Sequence, residues 1–272
     1  MKYDYKVAEV TKDKAVLFIQ KYHYSPVFPK LTKHWLGFFL ENELVGVITL
    51  GWGTQPRQTI NKMFPGLGTP HYFEIGKMCM SPEMPKNSES QMLSAAEKWI
   101  KQKKPNVLFF YTLADGIMGK VGYVYQSANF SYGGEYYTSV YLIEENGEKL
   151  HPRSARRLLE ENARFVGKEK LCWLTTDFMK MKGIKKIEGK MFRYIRPMSK
   201  KAKRLMAKES TVEWRNHDYP KAANLIWVDA TDRRTKCEIE IPAFTFENAK
   251  YNTNNINDVS PLDDMDLEAF MS

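Results

Sequence analysis

The chain is short of several things. Its 272 residues include three cysteines, Cys79, Cys172 and Cys237, an odd number at wide spacing. They form no close metal-ligand pair and no disulfide framework. No apolar run approaches the roughly 18 residues a membrane helix needs. The opening MKYDYKVAEV has no apolar signal core, so the expectation is a cytoplasmic protein without a membrane partner. No internal repeat is visible. The last 22 residues contain no Lys or Arg at all, but five acids, Asp258, Asp263, Asp264, Asp266 and Glu268. The net charge of +9 therefore divides unevenly. Residues 1–250 hold all 41 bases against 27 acids, an excess of +14. Such an excess points to a polyanionic partner or to a plain basic protein. At 43% hydrophobic and 27% charged, the chain can bury a sizeable core.

Periodicity supplies the elements. Residues 5–10 read as a strand, and Thr11 caps a helix to about Lys21 with Ala15, Val16, Phe18, Ile19 and Tyr22 at helical spacing. The apolar runs Leu36–Leu40 and Leu44–Leu50, joined by Glu41-Asn42-Glu43, read as a hairpin. Residues 51–70, with seven Gly or Pro, read as a long loop. Then follow a strand over Tyr72–Met80, a helix over Asn87–Lys101, a buried strand over Val107–Leu113, a helix over Met118–Phe130 and a strand over Tyr137–Ile143. This order, β-α-β-β-β-α-β-α-β, is a layered α/β arrangement.

After Leu150 the texture changes. Residues 180–208 carry twelve Lys or Arg and one acid, Glu188, with Met191, Phe192, Tyr194 and Ile195 among them. The segment reads either as a solvated helix face or as a grip on the backbone of double-stranded DNA. For the second reading the candidates are Lys185, Lys186, Lys190, Arg193, Arg196, Lys200, Lys201 and Arg204. Six phosphate contacts would give a salt slope of roughly −5. The expected division is a catalytic domain over 1–148, a basic α+β extension over 149–250 and a flexible acidic tail over 251–272. Within 261–270, Leu262, Met265, Leu267 and Phe270 could dock on a sliding clamp or another replication protein, or the tail could fold back on the basic segment.

Three places could carry chemistry. Pro85-Lys86-Asn87-Ser88-Glu89-Ser90 stands where a helix begins after a strand. Its free N–H groups favour a phosphate, with Asn87 or Ser88 as cap; an ordinary capped helix looks the same. Ala114-Asp115-Gly116 ends the central strand, where a carboxylate meets a ligand crevice or caps the next turn. Tyr125 could give up a phenolic proton to a leaving thiolate, or could be a core residue at helical spacing.

The order of these pieces resembles the GNAT acyltransferase superfamily. More narrowly, Glu74-Ile75-Gly76-Lys77-Met78, Lys86–Ser90, Ala114-Asp115-Gly116 and Gly122–Phe130, with Tyr132 and Gly134 beyond, resemble the Mom-type DNA modification proteins of bacteriophages. Leu150-His151-Pro152-Arg153-Ser154 and Gly189–Ile195 extend the likeness over roughly residues 20–205.

The resemblance implies a GNAT-like mixed central sheet flanked by helices. It also implies conversion of the exocyclic amine of adenine in DNA to a carbamoylmethyl form, protecting phage DNA from restriction in the host cytoplasm. It further implies that Asp115 and Tyr125 are active-site groups, that His23-Tyr24 is the family's His-Tyr pair, and that Lys86, Asn87, Ser88 and Ser90 face the donor's phosphates. Lys77 stands where an Arg is usual, keeping the charge without the planar fork, and Lys120 stands where a His is usual. The donor is left open between acetyl-CoA and another acyl or glycyl carrier, and no metal is assigned.

Adenine's amine is a poor nucleophile, so orientation and a proton acceptor such as Asp115 matter most. A base within a duplex must be flipped out, with Tyr24, Trp35, Trp52 or Tyr132 as stacking candidates. The competing readings are a GNAT enzyme acetylating a protein, small amine or tRNA, and a DNA-binding protein without catalysis.

Overall fold

A computed structural model describes residues 3–28, 31–53 and 55–246. These fall into two compact units, one built from residues up to 55 with 74–105, the other from 56–73 with 106–246. Residues on both sides of position 148 therefore share the second unit. The tail 251–272, including residues 261–270 for which docking or folding back was expected, lies outside the described residues.

In the first unit, strands β1 (Lys6–Glu9), β2 (Thr32–Leu40), β3 (Glu43–Gly51) and β4 (Tyr72–Met80, from Glu74 on) pair antiparallel in that order. The β2–β3 hairpin closes through Glu41 and Asn42, both at positive φ (49° and 69°), as a tight two-residue turn demands. Helix α1 (Lys12–Tyr22) starts at Thr11, whose hydroxyl accepts from the Lys14 N–H at 3.4 Å. Its Ala15 and Ile19 pack with Val10, Phe39, Val47 and Cys79 on one sheet face. The next residues along the strands, Phe38 and Gly46, point to the other face. There helix α2 (Ser88–Lys103) brings Met92 against Gly46 and buries Leu93, Ala96 and Ile100.

The second unit is organised around one long strand. Strand β8 (Ile184–Pro197) pairs with β5 (Phe109–Asp115) along one edge and with β6 (Ser131–Ile143) along the other. Strand β7 (Glu148–Leu150) adds to β6, β9 (Trp227–Asp229) meets β8 at Ile187 and Glu188, and β10 (Cys237–Ile239) adds to β9. About half of the basic stretch, residues 184–197, is thus interior strand, with Ile187, Phe192, Tyr194 and Ile195 essentially buried. Helices α4 (Arg156–Phe165) and α5 (Thr176–Met181) cover Tyr141 and Ile184, and α6 (Lys200–Lys208) follows β8.

The expected α/β class with helices flanking sheet is borne out. Two element readings are corrected. The helix expected over 118–130 is a short turn at 116–118 and a five-residue helix α3 (Tyr123–Ser127), because Gly119 (φ 72°) and Gly122 (φ 84°) break it between. Residues 51–70 are not plain polar loop, since Ile60, Met63 and Phe64 are buried and Phe64 stacks on Phe109 at 4.3 Å. Among the described residues no helix is long and apolar enough to cross a membrane.

Candidate functional site

In the first unit α1 ends at His23, whose N–H bonds back to Ile19. The chain then turns so that the His23 ring stacks on Tyr24 at 4.3 Å and its Nδ1 lies 3.0 Å from the Ser25 N–H and 2.9 Å from the Ser25 carbonyl. Ser25 is buried, and its hydroxyl accepts from Lys77 Nζ at 3.2 Å. Lys77 also sits 6.0 Å from the Tyr24 ring, and its N–H bonds the buried Thr49 hydroxyl at 2.8 Å. The structure therefore brings His23, Tyr24 and Lys77 into one cluster, joined by Ser25, which the sequence did not single out.

The α2 start is less of a cradle than expected. Asn87 takes the cap position in the left-handed region (φ 73°) and its side chain makes no capping bond. Ser88 is fully buried, donates to the Pro85 carbonyl at 2.6 Å, and its carbonyl faces the Tyr5 hydroxyl at 3.4 Å. Ser90 donates to the Asn87 carbonyl at 2.8 Å. Lys86, Asn87 and Glu89 are the exposed polar side chains here, and only the first two could meet an anion.

Asp115 ends β5 in the second unit. Its Oδ1 accepts from the Met118 N–H at 3.4 Å, and its Oδ2 lies 3.0 Å from Lys149 Nζ. The side chains are 25% and 13% exposed, so the pair is sheltered yet reachable. Lys149 is itself held against the Phe244 and Phe246 rings at 5.6 and 5.9 Å. Each Asp115 oxygen keeps a further lone pair for a proton or an N–H.

Tyr125 is elsewhere. Its ring packs 5.6 Å from both Phe130 and Tyr194, and the Gly122 backbone passes between Ala114, Tyr125 and Tyr194. Burial pushes its phenol up, partly opposed by the Thr112 hydroxyl. Thr112 and Ala114 point to one face of β5 and Asp115 to the other. Asp115 and Tyr125 consequently lie on opposite faces of this sheet.

The cations sort into two groups. Lys185, Lys186 and Lys190 on β8 are ion-paired with Glu144 (2.8 Å), Glu188 (2.8 Å) and Glu135 (2.5 Å). Arg193 donates to the Gly133 carbonyl at 3.2 Å and stacks over Tyr136, and Arg196 donates to the Ala128 carbonyl. In contrast, Lys200, Lys201, Lys203, Arg204 and Lys208 on α6 are all exposed, and the helix contains no acid.

Glu74, quoted within the motif but given no role, is the most perturbed carboxyl described. It pairs with Gly51, and a Cβ on Gly53 (φ 66°) would collide with its carboxylate. Burial pushes it from 4.5 up to about 7. A raised carboxyl stabilises the fold below its unfolded value, and that stability is lost as pH rises through about 7. Glu74→Gln removes the loss. Denaturant melts at pH 8 should show the variant more stable by up to about 3 kcal/mol, with no gain at pH 4.

Among the described residues no group of three His, Cys, Asp or Glu is placed to hold a metal ion. A model of the Mom protein family matches residues 4–221, across both units. Over 133 residues the chain is 33% identical to the methylcarbamoylase mom of Escherichia phage Mu, covering 49% of this chain and 54% of that one. It thus spans about half the length of the curated relative it matches. A solved chain from Sphaerobacter thermophilus DSM 20745, named for an acetyltransferase, aligns over 72% of this chain and 99% of its own at 10% identity and a TM-score of 0.31. The family match takes in the His23-Tyr24 pair, Lys77, the α2 start, Asp115 and Tyr125, and the chain belongs to the Mom protein family.

Proposed function

We propose that the protein is a phage DNA-modifying transferase that places a carbamoylmethyl-type group on the exocyclic amine of adenine, shielding the DNA from restriction in the host cytoplasm. What carries the reading is the family match over 4–221, which spans every motif position discussed. The named activity of the phage Mu relative is of the same kind.

In this reading Asp115 is the proton acceptor. Lys149 and the Met118 N–H fix its carboxylate, so no reorganisation is needed when the amine attacks. Tyr125, on the other sheet face, does not reach the centre at which Asp115 acts; its phenol, kept neutral by burial, supports β5 from behind at Thr112. The exposed Lys86 and Asn87 are the groups left to meet the phosphates of acetyl-CoA or another acyl or glycyl donor. His23, Tyr24 and Lys77 act as one positioned cluster.

Double-stranded DNA is the partner, held by α6, since the β8 cations are taken up internally. Its five cations give an expected slope of log K against log salt of about −4 to −5. Replacing all five with Ala should flatten that slope to near −1 or less in fluorescence anisotropy, with the melting temperature unchanged. An unaltered slope would move the DNA contact elsewhere.

The reading itself is tested by nucleoside mass spectrometry of DNA from cells expressing the chain. A carbamoylmethylated deoxyadenosine is expected. An unmodified profile would favour a GNAT enzyme with another acceptor, or a non-catalytic binder.

A further inference from the structure

The face of the second unit's sheet that carries Ala114 opens into a cleft of about 460 Å³, within the range of small-ligand sites. Strand β6 bulges at its edge. Register shifts between Tyr132 and Glu135, and Gly134 runs at φ 77° with no atom near where a side chain would stand. Gly133 beside it cannot carry a Cβ, because the Trp214 ring occupies that place. Bulges re-aim the residues that flank them. Here the result is that Glu135 and the Tyr132 phenol, 3.4 Å apart, turn into the cleft with Lys190 on the same carboxylate.

The polar groups of the lining carry both signs of charge. Glu135 accepts from Lys190 and Tyr132, and a carboxylate has about four acceptor positions, so two remain for N–H donors. Burial and the Glu135 charge push the Tyr132 phenol up to about 12, so it stays a donor. Arg215 lies 5.5 Å over the Tyr132 ring, and its Nε is buried with no hydrogen-bond partner among the described residues. Exposed Asp218, Lys221 and Asn224 stand at the rim, where Asp218 lies 3.5 Å from His217, and Tyr219 and Phe192 close the wall. Arg215 also brings its positive charge to the lining, where a bound anion would meet it.

The charges of Arg215 and Lys221, the aromatic walls, and a carboxylate with spare acceptor capacity offer groups suited to the parts of one nucleotide: phosphate, flat base and exocyclic amine. We propose that this cleft holds a single DNA nucleotide whose base bears an exocyclic amine, with its amine on Glu135 and its phosphate toward Arg215 and Lys221. The inference rests on the DNA-modifying reading. Because the cleft is on the Ala114 face and Asp115 points to the other, this nucleotide is one the protein reads, beside the one that reacts. The cleft would then set sequence context.

The probes are deoxyadenosine and thymidine 5′-monophosphates, followed by saturation-transfer NMR on the full chain. Thymidylate lacks the amine. Deoxyadenylate should bind roughly tenfold tighter. Glu135→Leu, which leaves no acceptor for the amine, should erase that preference, and Asn224→Trp, at an exposed rim position, should block both nucleotides without lowering the melting temperature. A duplex oligonucleotide should displace deoxyadenylate. Equal binding of the two nucleotides, or displacement by inorganic phosphate as effective as by deoxyadenylate, overturns the assignment and leaves an anion site. A duplex that binds by anisotropy yet leaves deoxyadenylate in place overturns the strand as its source. Should the duplex fail to bind at all, the DNA reading falls, while the two nucleotides still judge the cleft.

Discussion

Asp115→Asn should lower the rate of DNA modification by ~10²–10⁴-fold while leaving folding and DNA binding intact. Asparagine keeps an oxygen for the Met118 N–H, which Asp115 now receives at 3.4 Å, so the turn after β5 retains its cap. It loses the charge opposite Lys149 and the ability to take a proton. Lys149 remains seated against Phe244 and Phe246, so the unpaired ammonium stays in place. The stability cost of losing a pair this accessible is about 1 kcal/mol. The α6 cations are untouched, and the salt slope should not move. The measurements are modified deoxyadenosine per unit time by mass spectrometry, duplex affinity by anisotropy, and a melt. Full activity in this variant would sink the assignment of Asp115. Equal loss of activity and of DNA affinity would instead make it a binding residue.

How much of this was legible depended on whether neighbours in sequence or neighbours in space decided the outcome. Strand β4 runs over Tyr72–Met80 as read, because Pro70 and Ser81-Pro82 bound a short apolar run locally. Helix α2 was equally plain, since Met92, Leu93, Ala96 and Ile100 repeat at helical spacing and are its buried apolar residues. Strand β8 was hidden by its lysines. Its inward residues, Ile187, Phe192, Tyr194 and Ile195, lie among charges that read as a solvated surface. Those charges are neutralised by Glu135 and Glu144 on β6 and the following turn, which no local pattern reveals. Placement at the end of β5 made Asp115 a candidate from sequence alone. Its partner Lys149 is 34 positions away and arrives only through the β6–β7 hairpin. That Tyr125 is on the other face follows from where Gly119 and Gly122 turn the chain, a matter of two dihedral angles. The nucleotide cleft was invisible for the same reason, since Glu135 and Arg215 meet only through a bulge and an isolated bridge between Tyr132 and Arg215.

The second large effect is expected one residue on, and its cause is steric. Gly116→Ala places a methyl group against the Lys190 backbone carbonyl and within 2.8 Å of the Phe192 ring. Phe192 is among the largest fully buried side chains, and the Lys190 carbonyl belongs to the central strand, so neither yields cheaply. Overpacking of this kind costs about 2–4 kcal/mol, a fall in melting temperature of roughly 5–10 °C. The strain falls where β5 ends, so relief would move Asp115 away from Lys149. Activity should drop with stability, unlike Asp115→Asn, where activity drops alone. Gly119→Ala separates this from a general intolerance of the turn. Gly119 has φ 72°, but its nearest neighbour would be the end of the Ile241 side chain at 3.1 Å. Its cost is conformational, about 1 kcal/mol, and activity should largely survive. If both alanine variants melt alike and lose activity alike, the close approach of β5 and β8 at Gly116 is not what holds the carboxylate in place.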